Sequence, residues 1–243
     1  ERPLKAFAVL ALIFTSAAMA ACDEPRAREP KINPRPSAPD QLALPPTALS
    51  AEDPAERPGP FAWNPETKAF VWDGQPVRAA RTWTFDGSTD GFVMAGGEVE
   101  PAEDGGLRVA ARMFDSAIRT PSGLALQGRR YTRVLVRVTR LAGGAQWDGA
   151  LHYVTEAHPE SAQFTTKPVQ GDKPEINETV ILVYDMAKPL AGGEDWTTSV
   201  IDRIRIDFDD AAGGEFLIHQ VAITETPSAA TPSDQAPPLR PRT

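Results

Sequence analysis

The sequence predicts an all-β fold, a two-sheet sandwich preceded by a small hairpin. Three observations carry that prediction. Short segments of period two or near-continuous β-branched character recur along the chain, among them "RTWTFD", "GLRVAAR", "YTRVLVRVTR", "ETVILVYDM", "IDRIRIDFD" and "GEFLIHQVAIT". Gly, Pro and Asp clusters separate them at sandwich-like intervals. No segment after the first twenty residues sustains a helical apolar period.

The β-rich part opens with "FAWNPETKAFVWDGQPV" over residues 61–78, where Phe61 and Trp63 stand across an Asn64-Pro65-Glu66-Thr67 turn from Phe70 and Trp72. This reads as a hairpin continued by an Asp73-Gly74 turn. The sandwich follows over residues 79–226. In its first strand Trp83 and Phe85 alternate and belong to the core. In "YTRVLVRVTR", Val134, Val136 and Val138 alternate with Arg133, Leu135 and Arg137, so one face is buried and the other carries cations. In "IDRIRIDFD", Ile204, Ile206 and Phe208 alternate with Arg203, Arg205, Asp207 and Asp209. Such charges read first as a solvated face and second as a ligand-reading one.

The flanks are different. From Glu24 to Pro60 the composition turns to Pro, Ala, Arg, Asp and Glu, and residues 227–243 have the same character. Neither can bury enough surface to offset its ordering entropy, so 22–60 is expected to be an extended, disordered tether and 227–243 a disordered tail. At about 3.1 Å per residue such a tether reaches roughly 110 Å. Residues 1–21 carry Arg2 and Lys5, an apolar run from Ala6 to Phe14, and then small residues, the order of a secretory signal peptide. The apolar run is shorter than the roughly 20 residues of a membrane-spanning helix.

"Met19-Ala20-Ala21-Cys22" contains the only cysteine of the chain and resembles the lipobox of bacterial lipoproteins, although Met19 stands where Leu is usual. The resemblance implies cleavage before Cys22 and a covalent diacylglycerol on its sulfur, with membrane lipid as a partner through that anchor. Ordinary cleavage after Ala20 is the alternative. Asp23 resembles the signal that keeps lipoproteins of enteric bacteria at the inner membrane, so the expected place is the cell envelope, on the inner membrane facing the periplasm.

About 165 residues between the flanks suffice for one domain with a sizeable core. A net charge of -8 argues against nucleic acid as a partner. One Cys and three His without a CxxC leave no basis for structural zinc, haem or an iron–sulfur cluster.

From Ala79 to Thr224 the order "TWTFDGSTDGF", "AIRTPSGLAL", "WDGALHYVTE", "DWTTSVIDRIRIDF" and "GGEFLIHQVAIT" resembles galactose-binding-like jelly rolls, including many carbohydrate-binding modules. That resemblance implies a jelly-roll sandwich, Trp196 packed beneath a strand, and a glycan as ligand. A sugar needs an aromatic ring for its C–H face and planar polar groups for its hydroxyls. The candidates are Trp147 and Tyr153 with Gln163, Arg133, Arg137, Arg205 and Asp207. Trp147, beside Asp148-Gly149, is the one expected to be exposed.

Jelly rolls of this kind often hold a structural Ca²⁺, and the oxygens of Asp86, Ser88 and Asp90 in "DGSTDG" are the candidate donors, with a plain Asx/Gly turn as the other reading. No cofactor is required. The paired Asp207 and Asp209 of "DFDD" are the only acid–base candidates, and no triad or phosphate-cradling loop occurs. A non-catalytic glycan-binding module therefore comes first, an accessory subunit docking on an envelope membrane-protein complex second, and an enzyme third.

Overall fold

The structure, a computed structural model, describes residues 54–144 and 146–228. The signal segment 1–21, Cys22 and most of the 22–60 tether and the 227–243 tail lie outside the described residues. In chain order the strands are β1 (Ala55–Glu56), β2 (Phe61–Asn64), β3 (Ala69–Trp72), β4 (Gln75–Pro76), β5 (Ala79–Trp83), β6 (Val93–Ala95), β7 (Gly97–Pro101) and β8 (Leu107–Ala111). There follow β9 (Ala117–Arg119), β10 (Leu126–Gln127), β11 (Arg133–Ala142), β12 (Trp147–Thr155), β13 (Thr165–Thr166) and β14 (Glu178–Asp185). One helical turn, α1 (Asp195–Thr198), precedes β15 (Val200–Asp209) and β16 (Glu215–Thr224).

Successive long strands alternate between two sheets, which is the jelly-roll path. One sheet runs β1-β14-β11-β16-β8-β7, with β5 also beside β16; the other runs β13-β12-β15-β9-β6, with β10 also beside β15. All pairs in them are antiparallel except β1 with β14. The alternation in the sequence works out as expected. Val134, Val136 and Val138 meet Ile204, Ile206 and Phe208 in the core between the sheets, together with Leu182, Tyr184, Phe216 and Val221. Trp196 is fully buried there, and its indole N–H donates to the Tyr131 carbonyl over 2.9 Å.

The hairpin is a three-stranded meander, β2-β3-β4, with Phe61 facing Trp72 and Trp63 facing Phe70. It forms a second core with the outer face of the seven-stranded sheet, where Leu135, Val183 and Ala222 align across β14, β11 and β16 beneath Phe61, Phe70 and Val77. This explains why Leu135 stands between Arg133 and Arg137 on a face that otherwise reads as charged. The meander covers Leu135, and the arginines flank the covered patch.

Two boundaries differ from the sequence reading. The end of the expected tether is ordered: β1 adds to the edge of β14, and Arg57 donates to Glu178 over 2.6 and 2.7 Å. Phe85 is buried but lies beyond β5, at φ +55°, where its amide donates to Asp90. Trp83 is half-buried and packs edge-on to Phe92 at 5.3 Å.

Candidate functional site

Among the described residues the second sheet has no such cover. The strand register lines up Val93, Arg119, Arg205, His152 and Thr165 in one row across β6, β9, β15, β12 and β13 on its outer face. Asp207 pairs with Ala150 one step along the same face. Three loops wall this face. The β8–β9 loop brings Asp115, the β12–β13 loop brings Glu160, Ser161 and Ala162, and Asp210 follows β15. The result is an open groove of about 410 Å³, which Asp148 and Lys167 also line. That volume lies in the range of small-ligand sites, about 300–1,000 Å³.

Charge in the groove is paired and directional. Arg205 donates to both oxygens of Asp207, over 2.7 and 2.6 Å, and also reaches Asp115. Glu160 receives Arg119 through both Nε and an Nη, each at 2.8 Å, and lies within 3.6 Å of Arg203 and Arg205. Lys167 donates to the Asp148 carbonyl over 2.8 Å and to its carboxylate. Burial pushes the Asp207 carboxyl upward, against the pull of Arg205. Burial also opposes charge on Glu160, but its arginines outweigh it and hold the carboxyl below its usual range. Asp210 is pushed up by burial and then by neighbouring Asp148. Five carboxylates and two permanent cations line the groove. It offers planar donors and acceptors at fixed angles, and its strand floor holds them in place.

Of the sequence candidates, the structure brings Arg205 and Asp207 together in the groove. Gln163 stands exposed on the same β12–β13 loop, beside the lining Ser161 and Ala162. The others do not line it. Tyr153 is fully buried, edge-on to Trp196, Phe164 and His158, because alternation along β12 turns His152 outward and Tyr153 inward. Arg133 and Arg137 lie on the other sheet, paired with Asp185 and with Glu56. Trp147 is not an exposed platform. Its half-buried ring stacks on Phe208 at 6.2 Å, leans on Phe216 at 6.0 Å, and donates its N–H to Asp172 over 2.7 Å. The ring lies on the same inner face of β12 as Leu151 and Tyr153 and packs against the core between the sheets.

The candidate calcium donors are hydrogen-bonded within the protein. Asp86 accepts Lys68 over 3.0 Å and the Thr84 hydroxyl, while Asp90 accepts the Ser88 hydroxyl and the Phe85 amide and its own amide donates to Ser88 Oγ over 3.2 Å. Among the described residues no group of three or more His, Cys, Asp or Glu is placed to hold a metal.

Sequence reasoning missed Asp148 in β12 and the loop residues Asp115, Glu160, Lys167 and Asp210. It also missed Phe114, which is 77% exposed and immediately precedes the groove residue Asp115. Its loop is held firmly. The Ser116 hydroxyl lies 2.6 Å from the Gly96 carbonyl and 2.7 Å from the Met113 carbonyl, and Arg112 pairs with Glu98. The signal was available in "RMFDS", where two large apolar residues sit between strands instead of within one.

Fold and groove together define a jelly-roll β-sandwich with one capped and one open face. No family model and no curated protein sequence matches the chain. Among solved structures it is similar to the CBM22-1 xylan-binding domain from Paenibacillus barcinonensis Xyn10C, at 13% identity and a TM-score of 0.46 over 63% of this chain and 97% of that one. It is also similar to the low-affinity xylan-binding module CBM86 from Roseburia intestinalis, at 11% identity, a TM-score of 0.37, and 60% and 95% coverage. CBM29_1 from Piromyces equi matches at 12% identity, a TM-score of 0.37, and 56% and 82% coverage. At such scores the likeness describes the fold's outline and says nothing of a ligand.

Proposed function

We propose that this chain is a non-catalytic carbohydrate-binding module of the bacterial cell envelope, held to the inner membrane by lipid on Cys22 and facing the periplasm. The observation that supports this reading best is the open groove, whose floor and walls alternate hydrogen-bond donors and acceptors in fixed ion pairs. Sugar hydroxyls both donate and accept, and rigid planar partners recognise them at low entropic cost. Phe114, exposed and next in sequence to the groove residue Asp115, is the aromatic ring this reading assigns to the apolar face of the sugar. With more carboxylates than cations in the lining, a neutral glycan suits the groove better than a polyuronate.

The test is calorimetric titration of the full chain with cellohexaose, xylohexaose and a polygalacturonate oligomer, after a glycan array to widen the set. One or more neutral glycans should bind, and Phe114→Ala should weaken that binding about three- to tenfold without moving the melting temperature. A preference for the polyuronate, or no binding to any glycan on the array, refutes the reading. Membrane fractionation tests the anchor separately. Cys22→Ala should move the protein to the soluble fraction, and undiminished membrane retention after a salt wash would refute lipidation.

A second reading, an accessory subunit docking on an envelope protein complex, draws on the same exposed pair, Met113 at 63% and Phe114 at 77%. Under it, Phe114→Ala would cost capture of a protein partner and leave glycans unaffected.

A further inference from the structure

The β12–β13 loop, residues 156–164, forms one wall of the groove and is anchored twice. Glu160 fixes it to Arg119 across the sheet. The second anchor is His158. Its ring lies flat on Phe164, centroids 3.4 Å apart and planes 9° apart, and its carbonyl accepts the Thr155 amide over 3.2 Å. Its Nδ1 lies 2.9 Å from the Pro159 carbonyl oxygen and its Nε2 lies 2.9 Å from an oxygen of Asp195 in α1.

Both partners of this ring are acceptors. A neutral imidazole has one N–H and one lone pair, so either tautomer turns a lone pair toward an oxygen. Only the imidazolium donates at both ends, and its bond to Asp195 is then charge-assisted. The other titratable groups around the ring are Tyr153 of β12, edge-on at 5.4 Å and held un-ionised by burial, and Glu156 and Glu160 on the loop itself. Glu160 is committed to arginine and Glu156 is exposed.

We propose that His158 is a positioning residue that makes the groove sensitive to pH: its imidazolium clamps the 156–164 loop to Asp195, and loss of that proton frees the wall and weakens the ligand. Glu160 and Ser161 reach the groove only through this loop. The ligand half of the proposal rests on the carbohydrate reading of the groove; the clamp half does not.

Amide hydrogen exchange on the full chain, corrected for intrinsic rates, tests the clamp between about pH 5 and about pH 8, the window in which histidine changes charge. Protection of the His158-bonded Thr155 amide and of the Phe164 amide, which donates to Ser161, should fall about tenfold as pH rises, the scale of one charge-assisted hydrogen bond. His158→Gln and Asp195→Asn should each flatten that response. A purely structural role would instead lower protection equally at every pH. His152 is the histidine of the groove floor, its Nε2 3.6 Å from Asp207; His152→Gln should leave the loop response in place. Calorimetry with cellohexaose should show affinity falling about three- to tenfold over the same range in the unaltered protein. Failure of cellohexaose to bind at any pH overturns the ligand half alone. Loop protection that is independent of pH, or a response that survives in both His158→Gln and Asp195→Asn, overturns the clamp.

Discussion

Replacing Trp147 by alanine separates a structural ring from a sugar platform. A tryptophan buries about 150–250 Å², which at about 25 cal/mol per Å² is worth about 4–6 kcal/mol when complete. Trp147 is half-buried against Phe208 and Phe216, leaving about 2–3 kcal/mol of that figure, and the lost bond to Asp172 adds about 0.5–1 kcal/mol. The guanidinium of Arg140, 5.9 Å above the ring, also loses its contact. The expected loss is about 4 kcal/mol, within the range for large-to-small changes of this kind. For a domain of this size that lowers the melting temperature by about 8–16 °C, readable by scanning calorimetry on the full chain. Cellohexaose affinity, measured below the transition, should change less than it does for Phe114→Ala. A melting shift under about 3 °C combined with loss of glycan binding would refute this reasoning and return Trp147 to the ligand.

Leu135→Lys places a charge under the β2-β3-β4 meander, where Phe61 and Phe70 cover it. It should cost at least about 3 kcal/mol and make residues 61–78 the first site of proteolysis, with a red-shifted tryptophan emission from Trp63 and Trp72; an intact meander at full stability would contradict the second core. His219 is held down to about 4, first by burial and then by Arg137. The unfolded chain therefore takes up this proton first as pH falls from about 6.5 to about 4, so stability present above that window is lost through it, by up to about 3 kcal/mol. Urea titrations should show this slope flattened in His219→Gln, with the residual acid loss coming from Glu160 and Glu178, both held below their usual range. An unchanged slope in the variant would remove His219 as its source.

Much of the fold was legible because a strand has only two faces. The valines of β11 and the isoleucines of β15 alternate with charge, and that parity alone assigned the core. The meander was legible from Asn64-Pro65 and Asp73-Gly74, which set its turns. Parity cannot say what lies over an outward face. Arg133 and Arg137 flank a patch capped by the meander, while Arg205 and Asp207 line a groove, and the four look alike in sequence. Tyr153 failed by one residue of parity, and Trp147 failed because Asp148-Gly149 beside it reads as a loop, whereas β12 begins at Trp147 and sets its ring on the same inner face as Leu151 and Tyr153. Asp115, Asp148, Glu160 and Lys167 come from four separate stretches of chain, and only the packed sheet places them on one groove.

The described chain begins at β1 and ends just past β16, and both strands belong to the capped sheet. The groove is on the opposite sheet, about 10 Å away through the core. A pull between the chain's flanking segments and a ligand in the groove would therefore not run along any hydrogen-bonded ladder. It would load the interface between the sheets, where Val136, Leu182, Ile206 and Phe216 are held by close packing alone. Such an interface parts by shear or separation, and its mechanical strength depends on how well these side chains interlock. Core substitutions between the sheets would then set the force at which the domain yields, even where they leave the groove untouched.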